Sequence, residues 1–200
     1  HMQKDGEIRI INQEELEEIN VMINEVKEID TQTTEMNTTD YSDALKSLNE
    51  AYTAFNNSVK QYELVNNPAE SYVIKCLEKV EHVIGISAVT EDNDPNGHLG
   101  KAGGYTATVY FTCDWVNQAN VIGNTIIDKG TDGGGAIEVY ANVEDAESRD
   151  SYLAGFDGGV LASGSHTVVG TCVVRTSDEL AASKQKELEA AVIGALTKLE

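Results

Sequence analysis

The stretch Tyr105–Cys113 most constrains the fold, because apolar and polar side chains alternate along it in the run YTATVYFTC. A two-residue period places successive side chains on opposite faces of an extended chain. The alternation therefore predicts a half-buried β-strand over residues 105–113. A strand of this kind needs partner strands, so the second half of the chain is predicted to contain a sheet.

Two further strands are predicted around it, over residues 86–89 and 136–140. The run HTVVGTCVVR, residues 166–175, carries apolar side chains at both alternating sets of positions, which is typical of a central strand.

Three helices are predicted between and beyond these strands. Asn67-Pro68 opens one that ends at Gly85, Asn142 caps another running to about Leu153, and the capping box at 176–179 opens the last. The order predicts an α+β fold with a mostly antiparallel sheet flanked by helices and covered on one face. A ferredoxin-like layout is the nearest familiar arrangement.

The N-terminal part has helical periodicity instead. A first seam is followed by the polar break TQTTEMNTT and by a second seam over Tyr41–Tyr62 with alternating steps of four and three. The members of the first seam are Leu16, Ile19, Ile23 and Val26. The pattern predicts an antiparallel helical hairpin over residues 3–66 and an α+β domain over 67–200. The seam suits either a partner-binding coiled coil or a hairpin that closes on itself or on the body.

The charge excludes one class of partner. The formal net charge is −20, and no basic stripe is present to meet a phosphate backbone, so nucleic acid is not an expected ligand. No apolar run approaches the roughly 20 residues of a membrane span. His1-Met2 has the form of a vector remnant, so we expect any signal or membrane anchor to precede Gln3.

The three cysteines, Cys76, Cys113 and Cys172, lack the CxxC spacing of zinc or thioredoxin-type sites. Their apolar surroundings predict buried free thiols. Cys113 and Cys172 can also pair if their strands are neighbours.

The loop EDNDPNG, residues 91–97, is the one candidate metal site. It matches the front of a calcium loop, in which side-chain oxygens of Asp92, Asp94 and Asn96 converge and the carbonyl of His98 is the next ligand. The match fails at the last position, where a bidentate Glu is expected and Gly103 stands. The alternative is an Asx-rich turn between two strands, for which the same residues are suited.

Other patterns are weaker. Gly130–Gly135 suggests an anion-binding loop but lacks the Gly-Lys-Ser/Thr ending, which favours a simple turn. Glu138 with Asp132 is the carboxylate pair considered for hydrolysis. A nucleophilic pair of Ser165 and His166 has no supporting motif.

Arg149 and Arg175 are scarce cations in an acidic chain. They suit a structural ion pair or an anionic ligand, and the ion pair is the favoured use.

Four strings in the second half carry a resemblance to a known module: EDNDPNG, KAGGYTATVYF, GTDGGGAIEVYANVEDAESRDSYL and SGSHTVVGTCVVRTS. Residues from about 72 to 200 resemble a module found in extracytoplasmic proteins of anaerobic Gram-positive gut bacteria. The resemblance implies a location outside the cytoplasm, behind an export signal or anchor, and implies no catalytic residues.

The sequence thus predicts a non-enzymatic cell-surface or extracytoplasmic binding module whose ligand is a protein or a cell-envelope component. Two alternatives stay open: a calcium-binding module that uses the loop at 91–98, and an acidic-residue hydrolase of cell-wall or glycan substrates.

Overall fold

A computed structural model describes residues 20–25, 38–158 and 164–199 of the 200-residue chain. The chain divides into two compact units, the first reaching to Glu63 and the second spanning Leu64–Lys198. No helix in the described ranges is both long and apolar enough to cross a membrane.

The first unit contains helix α1, Thr38–Leu64, which includes the whole predicted second seam. Within that seam Phe55 is buried, whereas Tyr41, Leu45 and Tyr52 are 41%, 45% and 47% exposed. The heptad pattern therefore predicts the helix but not a continuously buried face. Of the predicted first helix, residues 20–25 are helical, and Leu16, Ile19 and Val26 lie outside the described residues.

The second unit is built on one antiparallel sheet of five strands in the spatial order β1-β2-β3-β5-β4. The strands are β1 Val83–Ala88, β2 Tyr105–Cys113, β3 Gly134–Tyr140, β4 His166–Val169 and β5 Cys172–Thr176. The α+β class and the antiparallel sheet are confirmed, and the predicted strand over 105–113 has the same bounds as β2.

Helices cover both faces of this sheet. They are α2 Glu70–Leu77, α3 Val143–Ala154 and α4 Ala182–Leu196. On one face α3 buries Ala146 and Leu153 against Tyr140 and Val173. The residues that point the other way, such as Ile137 and Val174, are fully buried as well. α2 and α4 contact each other and the sheet, and they cover this second face.

The prediction of one covered face was wrong for a specific reason. Charged residues such as Glu138 and Arg175, which lie in the middle strands, are rarely buried unless they are paired. In the structure these two residues lie under α3 and neutralise each other.

Strands β3 and β4 run parallel with the antiparallel strand β5 between them, and α3 connects them. This split β-α-β unit is the part of the ferredoxin-like layout that the chain contains. The strand on the other side of β3 is β2, which comes earlier in the chain.

The run HTVVGTCVVR is not one strand but a hairpin, β4 and β5, which turns at Gly170 with φ 60°. Only β5 is central. β4 lies at the edge of the sheet. The central position predicted from apolar residues on both faces is therefore correct for β5 and wrong for β4.

Two helix starts differ from prediction because their capping side chains have tertiary partners. Asn67 does not cap α2, whose N-cap is Ala69. The side-chain oxygen of Asn67 instead accepts from Thr106 Oγ1 at 2.8 Å, and its backbone N–H donates to Thr171 Oγ1 at 2.6 Å. That helix also ends at Leu77, which leaves Ile84 to β1.

The predicted box at 176–179 likewise does not open α4. Thr176 belongs to β5, and Ser177 Oγ donates to the carbonyl of Asp132 at 2.7 Å. The helix begins at Ala182. By contrast, Asn142 caps α3 as predicted and accepts from the N–H of Asp145.

The only tryptophan, Trp115, follows β2. Its ring lies 4.1 Å from the imidazole of His82 between centroids, and Lys184 Nζ of α4 lies 3.8 Å from the ring centroid. This stacking joins the chain beyond β2 to α4 by a cation–π contact.

Candidate functional site

A cavity of about 430 Å³ lies between the loop before β2, the sheet and helix α3. The loop contributes Asn96, His98, Gly103 and Gly104, the sheet contributes Tyr105 and Tyr140, and the helix contributes Asp145, Ser148, Arg149 and Tyr152. The volume is in the range of small-molecule sites. All of these residues belong to the second unit.

The floor of the pocket is a pair of tyrosines on neighbouring strands. Tyr105 and Tyr140 are register partners on β2 and β3, and their rings meet edge to face, 6.4 Å apart between centroids. Both side chains are almost fully buried. Cross-strand aromatic pairs of this kind stabilise a sheet, and here they also supply a rigid surface.

Each tyrosine hydroxyl donates its proton to a carboxylate outside the pocket. Tyr105 donates to Asp94, and Tyr140 donates to Glu138 Oε2 at 2.9 Å. Burial raises the pKa of both phenols, and the carboxylates raise it further, so both stay protonated. With their protons engaged, the hydroxyl oxygens can offer only lone pairs to a ligand.

One wall of the pocket is an arginine held by a buried carboxylate. Arg149 Nε lies 2.8 Å from Glu138 Oε2, and Nη2 lies 3.0 Å from Oε1. Arg175 Nη1 also donates to Oε1, at 2.9 Å. The side chain of Glu138 is fully buried, and that of Arg149 is 22% exposed.

The two guanidinium groups set the ionisation of Glu138. Burial alone would raise its pKa, but the hydrogen bond from Arg149 and the charges of both arginines outweigh burial and lower the pKa below its ordinary value. The favoured prediction of a structural ion pair for Arg149 and Arg175 is thus confirmed.

The other wall is the loop, whose shape depends on Asp94. Its carboxylate accepts from the N–H of Asn96 at 3.0 Å, from the N–H of Leu99 at 2.8 Å and from the Tyr105 hydroxyl. Burial alone would raise the pKa of Asp94, yet these hydrogen bonds outweigh it and lower the pKa to about 2.

Gly104 closes the loop at a point of close approach. A Cβ on this residue would collide with the carbonyl oxygen of His98, so a larger residue does not fit without moving the backbone. The His98 carbonyl itself accepts from the N–H of Lys101 at 3.2 Å.

These contacts show where the four predicted calcium ligands lie. Asp94 makes the local hydrogen bonds of an Asx turn, Asp92 is exposed, and Asn96 and His98 line the pocket. In the described ranges no group of three or more His, Cys, Asp or Glu side chains is arranged to hold a metal. Calcium binding by this loop stays a prediction.

The two carboxylates considered for hydrolysis lie in different surroundings. Glu138 is sealed under α3, whereas Asp132 lies in the 3-10 helix Gly130–Gly133 that precedes β3. Burial raises the pKa of Asp132, and the charges of Asp178 and Glu179 raise it further.

The glycine-rich run serves the sheet. A Cβ on Gly135 would collide with the carbonyl oxygen of Arg175 and would lie 2.5 Å from Phe111 Cζ. Glycine is therefore needed there for close packing between β2, β3 and β5.

Ser165 and His166 are not paired with each other. Ser165 Oγ donates to Glu189 Oε2 at 2.8 Å, whereas His166 Nδ1 lies 2.6 Å from Asp150 Oδ1. His166 fastens β4 to α3 through this contact.

The cysteines do not form the considered disulfide. Cys76, Cys113 and Cys172 are all free and buried. β3 separates the strands of Cys113 and Cys172, so these two residues are not on neighbouring strands. Burial raises the pKa of the Cys172 thiol to about 12.

The pocket itself was missed from the sequence. Its members come from a loop, two strands and a helix, and no local motif joins them. One signal in the sequence could have pointed to it. Glu138 is the single charged residue of its strand, and the chain has few arginines that could neutralise it, so each arginine is a candidate partner. No family model, curated protein or solved structure is significantly similar to the chain.

Proposed function

We propose that the second unit is a non-enzymatic binding module and that its ligand occupies the pocket between the loop at 96–104 and α3. The observation that carries the proposal is the state of Arg149. The fully buried Glu138 binds one edge of the Arg149 guanidinium group, and Arg149 also lines the pocket. An arginine fixed in this way is organised for a ligand before the ligand arrives, which lowers the entropic cost of binding.

The ionisation of the nearby carboxylates favours binding over hydrolysis. A general acid needs a carboxyl group whose pKa is raised toward neutrality. Beside the pocket, the pKa values of Glu138 and Asp94 are instead lowered, and both carboxylates are occupied by hydrogen bonds. These groups are suited to holding Arg149 and the loop in place.

The location in this proposal comes from the resemblance of residues from about 72 to 200 to an extracytoplasmic module. We propose that the module is displayed outside the cytoplasm and meets a cell-envelope component or a small molecule there. The net charge of −20 supports the choice of a ligand other than nucleic acid.

A pair of variants on α3 tests the proposal. Ser148 lines the pocket, whereas Ser151 is also exposed on the same helix and does not line it. We expect Ser148→Trp to obstruct the pocket and Ser151→Trp to leave it open. Calorimetric unfolding would be recorded for wild type and both variants with a panel of amino acids, sugars, small carboxylates and nucleosides.

A compound that binds the pocket raises the unfolding temperature of wild type and Ser151→Trp but not of Ser148→Trp. If every active compound stabilises both variants equally, or if no compound is active, the pocket is not the ligand site and the proposal fails.

A further inference from the structure

We infer that the pocket takes a small zwitterion, the carboxylate and ammonium head of an α-amino acid. This inference rests on the proposed function and names its ligand class. It comes from the arrangement of opposite charges on one face of α3.

Asp145 and Arg149 are four residues apart on α3, so their side chains lie on the same face of the helix. Both line the pocket. Such a pair normally forms an ion pair across one helical turn. Within the described part of the chain these two side chains form none, because Arg149 is drawn down to Glu138.

Arg149 supplies the anion-binding half. Its Nε and Nη2 groups donate to Glu138, and in the described part of the chain its Nη1 group makes no hydrogen bond. Glu138 is also shared with Arg175, so its negative charge only partly offsets that of Arg149. A ligand carboxylate can therefore accept from the remaining N–H groups of a guanidinium that is already oriented.

Acceptor groups supply the cation-binding half. Asp145 Oδ2 accepts from the Asn142 side chain at 2.8 Å, which fixes the carboxylate. The hydroxyl oxygen of Tyr140 adds a lone pair, since its proton is committed to Glu138. An ammonium group carries three donors, which these acceptors can satisfy.

The rim adds apolar surface for a side chain. Tyr152 is 60% exposed, meets Phe156 edge to face at 5.0 Å between centroids, and has the Arg149 guanidinium carbon 5.5 Å from its ring centroid. His98 lines the opposite, loop side. A zwitterion also has no net charge, so the strongly acidic protein does not repel it as it would repel a simple anion.

The test compares alanine with analogues that lack one charge. Titration calorimetry would measure alanine, propionate, which lacks the ammonium group, and ethylamine, which lacks the carboxylate. We expect removal of either charge to weaken binding by roughly tenfold or more. The remaining α-amino acids, titrated in the same way, report the preference for a side chain at the rim.

Asp145→Asn gives a change whose sign is diagnostic. Removing this negative charge should weaken alanine binding, because the ammonium group of alanine loses its partner. It should strengthen propionate binding, because Asp145 no longer repels the propionate carboxylate. Glu147→Gln on the same helix, at an exposed position outside the pocket, is the matched control and should change neither affinity.

Arg149→Lys should weaken both alanine and propionate by roughly ten- to a hundredfold, since the fixed guanidinium is lost. Because this variant also disturbs Glu138, its folding would be checked by calorimetry, and Ser148→Trp provides an independent loss of binding in a chain whose buried ion pairs are intact.

The outcomes separate the two proposals. If a sugar or nucleoside binds in a Ser148→Trp-sensitive manner while no α-amino acid binds at concentrations up to about 10 mM, the zwitterion inference is overturned and the binding function stands. If alanine and propionate bind equally and Asp145→Asn affects them alike, the inference is likewise overturned. If nothing in the panel binds the pocket, both proposals fall.

Discussion

Tyr105, the first residue of β2, donates its hydroxyl proton to Asp94 in the loop that precedes the strand. The same aspartate accepts from two backbone N–H groups of its own loop. The contact therefore links the conformation of the loop to the start of the internal strand β2, and it shapes one wall of the pocket.

Replacing Asp94 by Asn should destabilise the second unit by about 1–2 kcal/mol at neutral pH, because charge-assisted hydrogen bonds become neutral ones. The folded pKa of Asp94, about 2, lies below its ordinary value of 3.8. The carboxylate thus adds stability that is fully present above about pH 4 and is lost as the pH falls toward about 2.

Urea unfolding at several pH values measures this effect. Asp92→Asn is the matched control, because Asp92 is exposed in the same loop. Equal effects of the two substitutions at pH 7 would contradict a structural role confined to Asp94.

Calcium should change the unfolding temperature little. Both carboxylate oxygens of Asp94 already accept hydrogen bonds, and the His98 carbonyl accepts from Lys101. A bound cation would compete with these hydrogen bonds for the same oxygens. The measurement is thermal unfolding of the whole chain, in which the transition of the second unit is followed with millimolar calcium and with chelator. An unfolding temperature that rises when calcium is added, and that no longer rises in Asp92→Asn, would show instead that the loop binds calcium.

Glu138→Gln should cost about 3–5 kcal/mol, because two buried or half-buried arginines lose the charge that they share. Tyr140→Phe removes just one neutral donor to the same carboxylate and should cost about 1 kcal/mol. Chemical denaturation of both variants gives the comparison. A Glu138→Gln protein as stable as wild type would show that the carboxylate is not the shared partner of the arginines.

Gly135→Ala should destabilise the sheet by about 1–3 kcal/mol, since the new methyl group meets the Arg175 carbonyl and the Phe111 ring. Gly194→Ala in α4 has the opposite expected sign. A methyl group on Gly194 would meet open space beyond its own helix, and alanine favours a helix by about 0.5–1 kcal/mol. Thermal unfolding of the two variants should therefore move in opposite directions.

Local patterns predict those parts of the fold whose residues act on near neighbours. The period of two in residues 105–113 gives β2, and the Asn142 cap gives the start of α3. The α+β class follows from the order of such segments.

Patterns fail where a side chain has a distant partner. The side chains of Asn67 and Ser177 have the chemistry of helix caps, but the first accepts from Thr106 and the second donates to the carbonyl of Asp132. The pocket was missed for the same reason. Glu138, Arg149 and Arg175 come into contact only when β3, α3 and β5 pack together, and no spacing in the sequence predicts that contact.

The contacts of Trp115 with His82 and with Lys184 make the single indole an optical probe of this region, and the position of Trp115 limits what its fluorescence reports. Tyr105 begins β2 at the pocket, and Trp115 follows its far end, roughly 25–30 Å away at the rise of an extended strand. Intrinsic fluorescence will therefore follow the separation of α4 from the chain beyond β2. A change in the Trp115 fluorescence spectrum on addition of a pocket ligand would mean that binding at one end of β2 changes the structure at the other end.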